Sequence, residues 1–285
     1  MLPLLLMVAA LPQGTDTTFA LRGATRLELS SFDGGITVTT WNRKEIRVQA
    51  EHDDDTRIDV DEGRTTLRLR AAGRGGPSEV EWTLTVPAEL ALQLNARSGD
   101  ISVTGTRAPV SATSVDGSIT LRGGSGNISL TTVEGDLRLE DASGKVALST
   151  VDGTVSVRRL TGDLDINTVD GDITLDQVNS DNLGASTVDG SIRFAGPINA
   201  GGRYHLTSHD GNLLVMTPAI DADVSIATWE GDFESDFEVA LRGGLGDRRK
   251  LTFTLGRGSA RLELESFDGR IELRKGAALP ARRRD

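Results

Sequence analysis

The sequence predicts an all-β protein, folded as a single-stranded parallel β-solenoid (a β-helix) with about 18-residue coils. The main observation is a short phrase that returns along the chain, for example Thr-Val-Asp-Gly-Asp-Ile-Thr-Leu at 168–175. In the most regular part its glycines recur at a constant spacing, at Gly117, Gly135, Gly153 and Gly171. Repetition at a fixed period of this size is the signature of a stacked repeat protein.

Each repeat contains two strand patterns. After each repeat glycine, apolar and polar residues alternate, as in Ile173-Thr174-Leu175, which is typical of a strand with one buried face. Midway between these glycines a weaker copy of the pattern begins, at Gly126, Gly144 and Gly162. Asp-Gly and Ser-Gly before the strands are typical of turns. No window has the 3.6-residue apolar period of a helix, so the pattern indicates β-structure throughout.

Two architectures fit a strand and a turn in every half-repeat. In a parallel solenoid each repeat is one coil, which stacks on the next with about 4.8 Å between strands. In an antiparallel meander each Asp-Gly would be a hairpin turn. Val-Asp/Glu-Gly turns alternate strictly with small half-turns such as Ala142-Ser143-Gly144, and this favours the solenoid, whose coils copy each other while their halves differ. A meander with two unlike rims is the alternative.

The chain divides into an N-terminal segment, one domain and a tail. Residues 1–20 are predicted to be a signal peptide or a disordered segment, because an apolar run too short to span a bilayer lies there. Residues 276–285 are predicted to be a disordered basic tail. The single β-solenoid domain between them, 21–275, comprises a strand-rich N-terminal cap, regular repeats and closing strands, at 21–95, 96–235 and 236–275.

The cap and the closing segment contain strand patterns outside the rhythm of the repeat. The predicted strands are Thr25–Leu29, Ile36–Trp41, Ile46–Ala50, Arg57–Val60, Thr65–Leu69, Val80–Val86, Lys250–Leu255 and Ala260–Leu264. Residues 73–77, Gly-Arg-Gly-Gly-Pro, are predicted to be a loop. The segment 23–36 also aligns without gaps on 258–271, and both contain Ser-Phe-Asp-Gly. The two ends therefore belong to the same repeat system.

Composition excludes several classes of function. The chain has no cysteine, so it has no disulfide, thiolate metal site or thiol nucleophile. A net charge of −11 without a basic stripe argues against nucleic acid as a partner. The predicted partners are an envelope protein or a surface glycan, no stable transmembrane span is expected, and the sequence does not indicate an oligomeric state.

The sharpest candidate site is a row of carboxylates, one on each coil. If the coils stack, exposed neighbours about 4.8 Å apart repel each other by roughly 1 kcal/mol, and such a row could attract Ca²⁺, which prefers oxygen ligands. The alternative is that Asp simply suits these turns, and the Gly-Gly-x-Gly-x-Asp phrase of Ca²⁺-binding β-rolls is missing. The candidate metal ligands are Asp116, Glu134, Asp152, Asp170, Asp189, Asp210 and Glu230.

No catalytic or cofactor-binding residue is predicted. The carboxylates recur in every coil, whereas a catalytic site breaks a repeat in one place. His209 replaces the turn valine beside Asp210, which indicates a turn substitution rather than a catalytic pair. Trp229 takes the same turn position, and with Phe233 and Tyr204 it predicts either a cap over the end of the stack or a patch that binds a sugar or a partner.

The motifs resemble those of a known family. The segment from Val86 to Ile101, the Thr-Val-Asp-Gly-Asp-Ile repeats and the closing Gly256–Ala260 together resemble the bacterial "putative adhesin" domain family of unknown function, related to head-domain-like β-solenoids of cell-envelope proteins. The resemblance implies an exported, envelope-facing protein without established catalytic residues. We therefore expect a non-enzymatic adhesin-like or scaffold module that is periplasmic, on the cell surface or secreted. The alternatives are a Ca²⁺-binding envelope module and a carbohydrate-active β-helix, a lyase or a hydrolase.

Overall fold

The computed structural model describes residues 14–21, 23–73, 78–239 and 250–276, and these contain strands and turns but no helix. The N-terminal strands are β1 (Gly14–Ala20), β2 (Arg26–Ser31), β3 (Ile36–Trp41), β4 (Glu45–Glu51), β5 (Thr56–Glu62), β6 (Thr66–Gly73) and β7 (Glu81–Pro87). The central strands are β8 (Ala91–Ala96), β9 (Ile101–Thr106), β10 (Val110–Thr113), β11 (Ile119–Gly123), β12 (Ser125–Thr131), β13 (Leu137–Ser149), β14 (Val155–Asn167), β15 (Ile173–Asn179), β16 (Asn182–Asp189), β17 (Ile192–Ala195), β18 (Arg203–Asp210) and β19 (Leu213–Thr217). The C-terminal strands are β20 (Ala222–Thr228), β21 (Phe233–Ser235), β22 (Lys250–Leu255), β23 (Ala260–Asp268) and β24 (Ile271–Lys275). The all-β prediction is confirmed.

The central repeats stack in parallel, one coil on the next. Strands β13 and β14 pair with an offset of one sequence repeat, so that Leu137 lies beside Val155 and Val146 beside Leu164. The same parallel pairing continues through β15 and β17 and through β16 and β18. The period of the sequence repeat is therefore the length of one coil, and each coil repeats the inward and outward faces of its neighbour.

Within a coil the strand pairing is interrupted where the sequence shows no turn residue. The ladder between β13 and β14 skips Asp141 and Arg159, which have positive φ angles of 57° and 53°, and Gln177 has the same conformation in the next coil. The sequence pattern predicts the turn at the half-turn that follows, such as 142–144. It does not predict a turn at Asp141, Arg159 or Gln177, because residues with a side chain rarely adopt a positive φ.

At each end of the stack, one pair of strands lies between two other pairs in an order that differs from the order of the chain. At the N-terminal end, β2 and β3 lie between β6–β7 on one side and β8–β9 on the other. At the C-terminal end, β23 and β24 lie between β18–β19 and β20–β21. These inserted pairs are the two segments that align with each other in the sequence. The aligned phrases thus mark equivalent places, one coil in from each end.

The sheet is mixed, which corrects the expectation of a purely parallel single-stranded solenoid. Antiparallel pairs join β1 to β4, β4 to β7, β5 to β6 and β20 to β22. All of them lie at the two ends, where a parallel stack would otherwise leave unpaired strand edges. The protein is therefore all-β and solenoid-like, with a parallel centre and antiparallel ends.

The folded part begins earlier than the predicted boundary at residue 20. Residues 14–20 form β1, which pairs over its full length with β4, from Gly14 beside Glu51 to Ala20 beside Glu45. Arg47 of β4 donates two hydrogen bonds to the carboxylate of Asp16. The predicted strands of the cap and closing segment are confirmed with shifts of a few residues at their ends. The apolar run at 2–11, the basic residues 282–284 and most of the loop at 73–77 lie outside the described residues.

The core is a continuous column of Leu, Ile and Val from the inward positions of every coil. Trp82 and Phe194 are the largest of its fully buried side chains, each 1% exposed. Because each coil contributes only a few such side chains, burial accumulates by stacking rather than within one repeat. The outward positions of the same strands are left free to form surfaces.

A column of buried hydroxyls ties several of the coils to the one before them. Thr150 Oγ1 donates to the carbonyl oxygen of Gly135 at 3.2 Å, and Thr132 and Ser208 make the equivalent bond to Gly117 and Gly190. Thr168 occupies the same column, but its hydroxyl has no hydrogen-bond partner among the described residues.

This difference predicts unequal effects of the same substitution at the two positions. Thr150→Val should lower the free energy of unfolding by about 1 kcal/mol, because it removes a hydrogen bond at a buried site. Thr168→Val should leave it unchanged or raise it, because it removes a buried hydroxyl without a partner. Urea unfolding followed by circular dichroism measures both. Equal losses in the two variants would contradict the hydrogen-bond assignment.

Candidate interaction edge

The Thr-Val-Asp-Gly turns place their four residues in a fixed order relative to the core. The Thr or Ser is buried, the Val and the Asp are exposed, and the Gly closes the turn against the preceding coil, as at 150–153. Stacking therefore converts each turn position into a column that runs along the stack. We call the two exposed columns together the exposed edge: an apolar column at the Val position and an acidic column at the Asp position.

The acidic column is in register, as the spacing predicts. Asp116, Glu134, Asp152, Asp170 and Asp189 are joined by successive parallel bridges. Asp189 lies beside Asp210 in the pairing of β16 with β18. Neighbouring members are therefore one strand spacing apart, about 4.8 Å.

At the ends, the acidic column differs from the predicted one. Asp268, in the inserted strand β23, pairs with Asp210, so that Glu230 lies one coil further out rather than directly after Asp210. At the other end Asp33 pairs with Glu79, and Ser98 takes the position between Asp33 and Asp116. The repeated Ser-Phe-Asp-Gly phrase was the sequence signal for the two additional aspartates.

The acidic column has no basic partner within the part of the chain that the structure describes. None of its carboxylates forms an ion pair there, whereas Asp141 is bound by Arg159 at 2.6 Å and Arg274 binds three carboxylates. The Arg159 hydrogen bond holds the pKa of Asp141 below its ordinary value. Nor do the described residues contain a group of three or more Asp, Glu or His side chains that could hold a metal ion.

A second column of carboxylates, behind the repeat glycines, has a structural role. Asp136 accepts hydrogen bonds from the backbone N–H and the hydroxyl of Thr154 in the next coil, at 2.9 and 2.8 Å. Asp100 and Asp172 accept the equivalent backbone N–H of Ser118 and Ser191. Burial raises the pKa of Asp136, but the hydrogen bonds from Thr154 and Arg138 outweigh it and hold that pKa below its ordinary value.

These observations predict the outcome of a metal test on the acidic column. We expect the melting temperature of the full chain to be the same in EDTA and in millimolar Ca²⁺, because the carboxylates form a row rather than a cluster. A cation that bound only the folded state would raise the melting temperature. A Ca²⁺-dependent rise of several degrees, lost in Asp152→Asn/Asp170→Asn, would make the column a cation site and contradict this expectation.

The apolar column is exposed along its whole length. Its valines are Val115, Val133, Val151, Val169 and Val188, with exposed fractions from 41% at Val133 to 51% at Val188. Its register follows from backbone hydrogen bonds such as that from Val151 N–H to the carbonyl oxygen of Val133. The valine position of the repeat therefore contributes surface, not core.

Aromatic side chains extend the apolar column at both ends. His209, Phe267 and Trp229 take the valine position in successive coils, with ring centroids 4.9 Å apart for His209–Phe267 and 5.7 Å for Phe267–Trp229. At the other end Arg97 takes the valine position of the next coil and lies over the ring of Phe32, the member beyond it, at 4.9 Å from its centroid. His209 thus takes the turn-valine position, as the turn-substitution interpretation predicts, and there it belongs to a stack of rings.

The aromatic residues Trp229, Phe233 and Tyr204, predicted to form either a cap over the end of the stack or a binding patch, do not lie together on one surface. Tyr204 is buried, and its hydroxyl donates to the carbonyl oxygen of Ser180 at 2.7 Å. Phe233 is half-buried against Phe253 at the end of the stack. Only Trp229 is exposed. Tyr204 is therefore a core residue, Phe233 belongs to the cap at the end of the stack, and Trp229 lies on the exposed edge.

The outward face of the strands that precede the exposed edge is grooved. One groove has a volume of about 460 Å³ and is lined by residues of both charges, including Lys145, Asp163, Arg203 and Glu263. His205 lies in it, with Nδ1 3.5 Å from a carboxylate oxygen of Glu263. The third histidine, His52, is hydrogen-bonded to Thr15 of β1. The groove is open and mixed in charge, and it lacks the repeated order of the exposed edge.

Comparison with known proteins identifies the family. A model of the Toastrack DUF4097 family matches residues 24–274. The chain belongs to this family. No curated protein matches the Toastrack chain. Within the described residues no helix is long and apolar enough to cross a membrane.

Solved structures of bacterial proteins are similar to this Toastrack chain. A "putative adhesin" from Bacteroides fragilis is 12% identical, with a TM-score of 0.45 and coverage of 91% of this chain and 96% of the other. A "putative cell adhesion protein" from Clostridium sporogenes is 11% identical, with a TM-score of 0.23 and coverage of 93% and 100%. A "putative adhesin" from Parabacteroides distasonis is 12% identical, with a TM-score of 0.34 and coverage of 92% and 97%.

Proposed function

We propose that this chain is a non-catalytic interaction module, an exported adhesin-like or scaffold protein of the bacterial cell envelope that binds partners along its exposed edge. The observation that carries the proposal is the distribution of exposed apolar side chains. Every large hydrophobic residue that is exposed in the described structure lies on this edge: Phe32, Val115, Val133, Val151, Val169, Val188, Trp229 and Phe267. The valines from Val115 to Val188 take the same turn position in consecutive coils, while Arg97 takes it in the coil between them and Phe32. An exposed apolar row of this kind marks an interaction site.

The repeat itself supports a binding role over a catalytic one. A catalytic site needs a few unlike groups in one place, whereas the acidic and apolar columns present the same groups on coil after coil. The one His–Asp neighbour pair on the edge, His209 and Asp210, has its imidazole stacked on Phe267. A surface that repeats along one axis suits an elongated partner better than a small substrate.

The proposal is tested by cell fractionation of the tagged full chain. We expect it in the envelope fraction of the bacterium that encodes it and not in the cytoplasmic fraction. A variant with Val133→Thr, Val151→Thr and Val169→Thr, called the apolar-column variant, keeps the branched side-chain shape and should fold normally. It should move from the envelope fraction to the soluble exported fraction.

Two results would contradict the proposal. One is a wild-type chain that remains in the cytoplasm. The other is an apolar-column variant that is retained by the envelope as fully as the wild type. Release of reducing ends or unsaturated sugars from envelope polysaccharides by the purified chain would instead establish the carbohydrate-active alternative.

A further inference from the structure

We infer that the exposed edge docks a cationic amphipathic α-helix of a partner polypeptide, a conclusion that rests on the proposed binding function and specifies the partner's chemistry. The inference combines the composition of the edge, the charge beside it and the spacing of its coils. Each of these narrows the set of partners.

The edge offers an apolar row and a charged row side by side. Each exposed Val is followed directly by an exposed Asp or Glu, so that Val133 neighbours Glu134 and Val151 neighbours Asp152 on the same turn. A partner that covers the apolar column must therefore also face the acidic column. It needs two parallel rows, one apolar and one polar.

The charge of the acidic column selects a cationic partner. Apart from Ser98, every position of the column carries a carboxylate, and none of these forms an ion pair in the described residues. Elsewhere the structure neutralises its acidic groups, as Arg274 does for Glu234, Asp236 and Glu272. A second copy of this chain, with a net charge of −11, would bring like columns together, and an anionic lipid surface would be repelled in the same way.

The spacing of the coils matches a helix better than a strand. An α-helix presents one side chain on a given face about every 5.4 Å, close to the ~4.8 Å between coils, whereas an extended strand laid along the stack repeats about every 6.8 Å. The turn backbone is also already hydrogen-bonded from coil to coil, as between Asp152 and Val133, so a strand cannot join it edge to edge. The five valines span roughly 19 Å, the length of about 13 helical residues.

A helix of this kind carries an apolar row flanked by Lys or Arg. Its leucines or similar side chains would contact the valines, and its ammonium or guanidinium groups would contact the carboxylates. Trp229, Phe267 and His209 would take larger apolar or cationic side chains at the C-terminal end, since aromatic faces also bind cations. The apolar contact supplies affinity, and the charges select the partner and its orientation.

The test measures binding of a synthetic helix by fluorescence anisotropy with the full chain. The probe is an 18-residue labelled peptide of Leu and Lys with a single apolar face at the helical period. Its controls are a scrambled peptide of the same composition and a peptide in which Glu replaces Lys. We expect the helical Leu/Lys peptide to bind with a dissociation constant that rises with salt, and the two controls to bind at least about tenfold more weakly.

Matched variants locate the binding on the edge. The apolar-column variant and an acidic-column variant, Asp152→Asn/Asp170→Asn, should each raise the dissociation constant by about fivefold or more. The control variant Asp163→Asn/Asp165→Asn removes the same number of charges from the grooved face of the stack. It should change the constant by less than about twofold. Circular dichroism melting checks that all three variants are folded.

Several results would overturn the inference. They are no binding of the Leu/Lys helix, equal binding of the scrambled or Leu/Glu peptide, or equal loss of binding in the grooved-face control. A concentration-dependent dimer that the apolar-column variant abolishes would instead identify a second copy as the occupant. If the helix fails to bind while the apolar-column variant still leaves the envelope, the proposed function stands and only the partner's chemistry is wrong.

Discussion

Gly153→Ala is expected to lower the free energy of unfolding by about 3–5 kcal/mol, from the added costs of backbone strain and overpacking. Gly153 has a φ of +151°, a conformation that residues with a side chain rarely adopt. A Cβ at this position would also lie 2.1 Å from the carbonyl oxygen of Gly135 in the preceding coil. The alanine therefore forces two coils apart at the exposed edge. Denaturant unfolding followed by circular dichroism measures the effect.

Gly201→Ala is the matched control, since it separates backbone strain from the contact between coils. Gly201 also has a positive φ, +79°, but nothing lies within 4 Å of an added Cβ. Its substitution should therefore cost only about 1–2 kcal/mol, the penalty of the backbone conformation. If both variants lose the same stability, the close contact between Gly153 and Gly135 is not what the repeat glycine is needed for.

Trp82→Ala should cost about 3–5 kcal/mol, the usual range for removal of a large buried aromatic side chain. Trp82 belongs to β7 in the outermost N-terminal coil, where it is 1% exposed. Its indole N–H donates to the hydroxyl of Ser31 in the inserted strand β2, at 3.2 Å. The substitution thus tests whether this end of the stack is an integral part of the core. Thermal and urea unfolding provide the measurement.

Trp229→Ala provides a comparison with the same side chain in the opposite environment. Trp229 is 51% exposed and stacks on Phe267 at the exposed edge. Its loss should change the free energy of unfolding by less than about 1 kcal/mol. A Trp229→Ala variant as unstable as Trp82→Ala would mean that the edge aromatics are core residues, contrary to the proposed binding surface.

The sequence predicts the central coils well because the patterns that define their strands and turns are local. The alternation in Ile173-Thr174-Leu175 and the turn chemistry of Asp170-Gly171 both act within a few residues, and stacking then repeats them. The acidic column follows from the same spacing. Its register from Asp116 to Asp210 is confirmed by the strand pairing.

The ends were harder to predict because their pairing joins distant parts of the chain. No local pattern shows that β23 inserts between β18 and β20, and β2 pairs with β6, from which three other strands separate it in sequence. The gapless alignment of 23–36 with 258–271 carried the relevant signal, since equivalent sequences occupy equivalent places. It indicated one repeat system but not the order of the coils.

The sequence does not predict the apolar half of the candidate site. A valine in an alternating pattern resembles a core residue, and only the structure shows that Val151 points to solvent while Thr150 is buried. Tyr204 differs in the opposite direction, because the sequence places it in a cap or a binding patch and the structure places it in the core. Residue type alone does not distinguish the two sides of a turn.

Stacking, with the C-terminal strand pair β23–β24 inserted between two coils, builds one continuous edge, and disulfide formation tests this order most directly. The chain has no cysteine, so His209→Cys/Phe267→Cys and His209→Cys/Trp229→Cys each carry one engineered pair. A disulfide requires Cα atoms within about 7 Å, which neighbouring coils at about 4.8 Å satisfy and next-neighbours at about 9.6 Å do not. We expect mild oxidation to cross-link the first pair, despite its separation in sequence, and not the second. Cross-linking of the second pair and not the first would show coils stacked in chain order and would contradict the edge described here.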